Sequence, residues 1–220
     1  MPGGKRTDRI SKRDLEVLEF IARFGVVPRT AVATWAGTGR TVTITRERRL
    51  REAGLINVPS GVAGSDRLLV CTKAGLRAVG RADLRTAQFS LQRVQHESAV
   101  ALLAASLERA GDRTLSEREI LARERAAGER TFSASLSGGR FHRADLVRLN
   151  SDSEGPEAVE VELTLKGARR LDELLRAWRR VVAEKRITRV VYRCSCDTRP
   201  YVERAVERTR TGTAIAVQDI

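Results

Sequence analysis

Between residues 11 and 79 the apolar positions first recur with helical spacing and then with strand spacing. Leu15, Leu18, Ile21 and Ala22 fall on one face of a helix that Ser11 opens. Asp14, three residues on, completes a capping-box variant, and Gly25 ends the stretch. Pro28 and Thr30 open a short second helix carrying Val32, Ala33 and Trp35 and ending near Gly37. The spacing predicts a third helix over 40–53, with Gly54 as its stop. Val42, Leu50 and Ala53 are expected on its core side, and Arg40, Thr41, Thr43, Arg46, Arg48 and Arg49 outside. β-branched content predicts a strand over 55–58, a turn at 60–66, a returning strand over 67–72 and a short closing helix over 73–79.

A second series follows after a linker at 81–85. Residues 91–107 are apolar or small nearly all round, which predicts a buried helix. His96 and Glu97 are its only ionisable groups between Arg93 and Glu108. A carboxylate in such a helix is costly unless it is paired, hydrogen-bonded or metal-bound; the alternative is a solvated first turn. Ser116 and Glu119 form a capping box for a helix over 117–127, stopped by Gly128. Strands are expected at 131–136 and 140–149, joined by a turn at Gly138-Gly139. A polar turn at 150–156 leads to a third strand over 157–166. There Val159, Val161, Leu163 and Leu165 alternate with Glu160, Glu162, Thr164 and Lys166. Taken alone, that strand fits a half-solvated edge. An amphipathic helix over 167–185, a largely apolar strand over 187–192, a helix over 198–209 and a strand over 213–217 complete the chain. The fold class is therefore α/β (α+β overall), in two units, 1–85 and 89–220.

Charge sharpens this picture. The 220 residues carry 41 Lys and Arg against 28 Asp and Glu, a net of +13. Residues 1–88 hold 17 basic and 8 acidic side chains, a net of +9, so the excess sits at the N-terminal end. No apolar run approaches the ~18–20 residues that span a bilayer. No apolar segment follows the basic N-terminus, and Cys71, Cys194 and Cys196 are too few for a disulfide scaffold. A cytoplasmic protein with a polyanionic partner is the expectation.

Three helices followed by a two-stranded hairpin is the winged-helix order, and "LREAGLI" resembles the end of a winged-helix recognition helix. The resemblance implies contact with double-stranded DNA through Arg40, Thr41, Thr43, Arg46, Arg48 and Arg49 in the major groove, with Arg67 at the base of the wing. A homodimer on paired half-sites is a further expectation of this class.

The second unit resembles the PD-(D/E)XK nuclease core, a restriction-endonuclease-like mixed sheet flanked by helices. The residues that carry the resemblance are "HRADLV", "EVELTLK" and "QHE". It implies that Asp145, Glu160 and Glu162 hold one or two divalent ions, that Lys166 positions or activates water, and that Glu97 completes the site. Which of Glu160 and Glu162 is the ligand stays open, because the strict E-x-K triplet is absent. Hard oxygen ligands suit Mg²⁺ or Mn²⁺, which would acidify a bound water and stabilise charge on a phosphate. The whole layout, over roughly 11–218, is similar to the replication-relaxation family of plasmid and mobile-element proteins. That similarity implies a DNA transaction.

Zinc is disfavoured because Cys194-x-Cys196 lacks a second ligand pair. No Walker A motif and no nucleophile elbow is present. Two functions remain: a metal-dependent endonuclease targeted by its winged helix, and a non-catalytic DNA-binding regulator or transfer accessory protein with a degenerate nuclease fold.

Overall fold

The computed structural model describes residues 10–59, 66–149 and 155–220. The expected turn at 60–66 falls outside these except for Asp66, and of the turn at 150–156 only 155–156 is described.

The first unit is α1 (Lys12–Arg23), β1 (Val27–Pro28), α2 (Arg29–Ala36), α3 (Arg40–Glu52), β2 (Ile56–Asn57), β3 (Leu68–Cys71) and α4 (Lys73–Ala78). Ser11 and Asp14 do form a reciprocal capping box on α1. β1, absent from the sequence reading, joins β3 and β2 in an antiparallel sheet of order β1-β3-β2.

The second unit begins with α5 (Val94–Arg109) and continues as β4 (Arg113–Ser116), α6 (Glu117–Ala127), β5 (Ser133–Ser135), β6 (Phe141–Arg143), β7 (Leu146–Leu149), β8 (Glu157–Glu162), α7 (Ala168–Ala183), β9 (Arg189–Cys194), α8 (Arg199–Thr209) and β10 (Ile215–Asp219). A mixed five-stranded sheet of order β10-β9-β8-β7-β4 forms its centre. β7 pairs antiparallel with both β4 and β8, and β9 pairs parallel with both β8 and β10. α7 and α8 supply the two crossovers that parallel pairing requires.

Three strand expectations need correction. β4 was not anticipated; its last residue, Ser116, is also the N-cap of α6. The single strand over 140–149 is two strands: β6 pairs only with β5, and β7 enters the main sheet. The break falls at Ala144 and Asp145. The Asp145 carboxylate accepts the backbone N–H of Val161 at 2.8 Å, taking a donor on β8 that strand pairing would otherwise use. The third strand stops at Glu162, not Lys166, where the Glu162 carbonyl turns to accept from Ser195 N and Thr198 Oγ1. It is no half-solvated edge: β8 is central and every residue in it is buried.

The sheet's two faces serve different cores. Ala158, Tyr192 and Val147 pack with Leu171, Leu175 and Trp178 of α7. Leu146, Val159 and Val161 join a core that holds Ala101, Ala104 and Ala105 of α5 together with Leu18, Ile21, Val27, Ala31 and Ala36 of the first unit. The small residues of α5 let it lie close to both β8 and α2. Hydrophobic burial therefore continues across the 81–85 linker.

Charged groups seal this seam. Arg23 Nη1 donates to Glu108 at 2.7 Å, its Nε to Glu119 at 2.9 Å and its Nη2 to the Thr114 carbonyl at 2.7 Å. Trp35 Nε1 donates to Glu108 and Arg81 to Glu119. Arg118 donates to the carbonyls of Ala22, Phe24 and Arg85. Three backbone carbonyls stand in for a carboxylate there, and burial lowers the Arg118 pKa.

Candidate functional site

Two surfaces bear on function: the outer face of α3 and a buried acidic cluster on β7 and β8. α3 buries Thr43, Glu47 and Leu50. Glu47 receives Arg29 Nε at 2.6 Å and Arg67 Nη1 at 3.2 Å. Asp14, buried under the helix, receives Arg46 Nη1 at 2.8 Å, with Arg49 Nη1 at 3.9 Å. Hydrogen bonds from Ser11 help hold the Asp14 carboxyl below its ordinary range, against the opposing effect of burial.

This divides the seven expected contact residues. Arg40, Thr41 and Arg48 are exposed. Thr43 is a correction: it is 1% exposed, because its hydroxyl meets Thr38 Oγ1 and the Gly39 carbonyl inside the helix turn. Arg46, Arg49 and Arg67 lean on Asp14 and Glu47 as ion-pair partners. Val42 is also corrected. It is 45% exposed, not core-facing, and Ile44 is 39% exposed. Residues 41–45 are five consecutive β-branched residues in a helix, where each costs up to about 0.7 kcal/mol relative to Ala. Only Thr43 among them is buried, so core packing does not offset the cost.

The acidic residues are brought together differently from the sequence expectation. Asp145 Oδ1 lies 2.9 Å from His96 Nε2, which links the end of β6 to α5. Glu160 is 2% exposed, and its Oε2 lies 2.8 Å from His142 Nε2 on β6. Glu162, also buried, forms an ion pair with Lys166. Lys166 thus reaches back from the loop before α7, one helical-type step away, and neutralises Glu162 in place of facing Glu160 directly.

The hydrogen bond to Asp145 raises the His96 pKa. Burial opposes charge on His142, but attraction to Glu160 and their hydrogen bond outweigh it, so the His142 pKa is raised as well. Burial pushes Glu160 up too, so this pair keeps its proton to higher pH than a lone histidine would. Glu160 Oε1 and the Tyr192 hydroxyl, opposite each other on β8 and β9, are buried with no hydrogen-bond partner among the described residues, as is Trp178 Nε1.

Glu97 stands apart from this set. Its Oε1 is 3.3 Å from Arg93 Nε, and its Oε2 is buried against Gly25 of the first unit without a hydrogen-bond partner among the described residues. Burial raises its pKa. A cleft of about 400 Å³ at the seam is lined by Gly25, His96, Glu97, Arg118 and Asp145, so the two acids share a cavity without sharing a partner.

These positions test the fit of a divalent ion. Among the described residues, no three His, Cys, Asp or Glu side chains stand close enough together to hold one metal ion. Asp145 and Glu160 each face a histidine, Glu162 faces Lys166, and Glu97 faces Gly25 and Arg93. As arranged, the expected ligands Asp145, Glu160 and Glu162 do not fit Mg²⁺ or Mn²⁺. His142, which pairs with Glu160, the most buried carboxylate of this cluster, was missed as a site residue. Its place three residues before Asp145 was the available signal.

No family model, curated protein or solved structure matches the chain. No helix among the described residues is long and apolar enough to cross a membrane.

Proposed function

We propose that this is a DNA-binding protein that lays α3 along the major groove of duplex DNA. On this reading it acts as a regulator or accessory factor, with its second unit as a scaffold. One observation carries this: the outer side of α3 is exposed at Arg40, Thr41, Val42, Ile44, Arg48 and Arg51, while Asp14 below pairs with Arg46 and Glu47 with Arg29 and Arg67. The net charge of +9 over residues 1–88 supports a polyanionic partner. Winged-helix geometry puts such a helix against base edges and its flanks against phosphates.

A second reading, metal-dependent cleavage of the bound DNA at Asp145 and Glu160, has one observation in its favour. Glu160 Oε1 is a buried carboxylate oxygen with no partner, on the strand next to Asp145. The present pairing of each acid with a histidine or lysine weighs against it.

Fluorescence anisotropy with a labelled 30-base-pair duplex tests the first reading. Three phosphate contacts give a slope of log Kobs against log salt of about −2.7, and Arg48→Ala reduces its size by about 0.9. Binding that is absent, or indifferent to salt and to Arg48→Ala, refutes it. Incubating plasmid with protein and Mg²⁺ or Mn²⁺ decides the second: nicking lost in both Asp145→Ala and Glu160→Ala would establish cleavage. Sedimentation in the same buffers reports whether the expected homodimer forms.

A further inference from the structure

We infer that α3 reads thymine methyl groups, so that the preferred duplex is rich in A·T pairs. The inference rests on the proposed seating of α3 in the major groove. Its ground is which side chains α3 keeps for itself and which it offers. Guanine is the usual target of arginine in the major groove, through paired hydrogen bonds to O6 and N7. Arg46 is committed to Asp14, and Arg29 and Arg67 to Glu47, so these guanidiniums are held off the outer face. Thr45 Oγ1 donates to the Thr41 carbonyl one turn back, which turns its hydroxyl toward the helix.

After Arg40, what projects from the first two turns is methyl-bearing: Thr41, Val42, Ile44 and Thr45. At 100° per residue, Thr43, Glu47 and Leu50 mark the inward direction. Thr41, Thr45 and Arg48 then lie opposite it, and Val42 and Ile44 stand on the two shoulders. A helix in the groove has base edges on both shoulders, so all of these methyl-bearing positions come into reach. β-branched side chains have a single dominant χ1 rotamer in a helix, or two for Thr, so their methyls are held ready at little entropic cost on binding. The thymine C5-methyl is the one apolar group the major groove displays. Arg40, Arg48 and Arg51 around this face match the charge of the phosphates, which identifies duplex DNA as the occupant over an uncharged apolar partner.

Uracil substitution tests this directly, because it removes the methyl and leaves the Watson–Crick pairing. The probes are 20-base-pair duplex pools of random A·T sequence, made with thymine or with uracil, and a matching G·C pool. Tighter binding of the thymine pool than of the uracil pool, by about fourfold per contacted methyl, is expected. Val42→Ala/Ile44→Ala should narrow that ratio while keeping the salt slope. Equal binding of thymine and uracil pools overturns the inference and leaves duplex binding standing. Failure to bind any duplex overturns the seating of α3 as well. A dimer in sedimentation that dissociates in Val42→Ala/Ile44→Ala, with no change in DNA affinity, would assign this face to a second copy of the chain and also overturn it.

Discussion

Replacing Arg23 with methionine should weaken the whole molecule and not the first unit alone. Arg23 is 12% exposed at its side chain, and its partners Glu108 and Glu119 are 14% and 10% exposed. The substitution removes two hydrogen bonds to carboxylates and two to Thr114, at its carbonyl and its hydroxyl. Removing one member of a buried pair costs about 3–5 kcal/mol, chiefly because the remaining charge is left desolvated. Glu108 keeps Trp35 and Thr114 Oγ1, and Glu119 keeps Arg81 and the Ser116 backbone N–H, which places the loss near ~3 kcal/mol, the lower end of that range. For a chain of this length that lowers Tm by about 6–12 °C. Urea denaturation followed by circular dichroism should give one transition in the wild type and a lower midpoint with an unchanged m-value in Arg23→Met. Neutralising the orphaned acids, in Arg23→Met/Glu108→Gln/Glu119→Gln, should recover part of the loss. A loss under ~1 kcal/mol, or two separated transitions in the wild type, would refute a shared, charge-sealed core.

Gly25→Ala puts a Cβ within 2.5 Å of Glu97 Oε2, and the fall in Tm it causes should be relieved when Glu97→Ala is added. If the two changes simply add, Gly25 and Glu97 are not in contact. The pKa of His96 is raised from 6.5 in the folded chain by Asp145, so its contribution to stability is present below pH 6.5 and lost as pH rises through the folded value. Melts from pH 6 to 9 should therefore show falling stability, with a shallower fall in His96→Gln; equal slopes in both proteins would remove His96 as the cause.

Helices were the most legible part of the fold. Ser11 with Asp14 and Ser116 with Glu119 announce two starts by their own chemistry, and both capping boxes are present. Of the short strands, β2, β3 and β5 fall inside the expected stretches 55–58, 67–72 and 131–136, and β1 and β4 were not legible. β1 has two residues, and β4 has four that merge into the next cap, too few for alternation to register. The alternation was read correctly for its faces over 159–162, where β8 ends, and incorrectly for its surroundings. Glu160 and Glu162 look solvated in sequence, yet α7 covers their face, and His142 and Lys166 make that burial tolerable. The acids of the candidate site were identifiable as residue types. Their partners were not, because His96 is 49 residues from Asp145 and His142 is 18 from Glu160, separations that only the sheet closes. On α3 the net charge was legible, but which arginines turn inward depends on Asp14, a residue of another helix.

The core that joins α2 and β1 to α5 also bears on how the chain is made. Synthesis runs from the N-terminus, and the last residue of α5 is Arg109. The roughly thirty residues between the end of α4 and that point take about 1.5–6 s to add at ~5–20 residues per second. During that interval Val27, Ala31 and Ala36 have emerged without their cover. A ribosome paused in this window holds a nascent chain with an apolar face open to chaperones or to its neighbours on the same message. A chain truncated before α5, ahead of residue 94, would keep that face open permanently and should be insoluble.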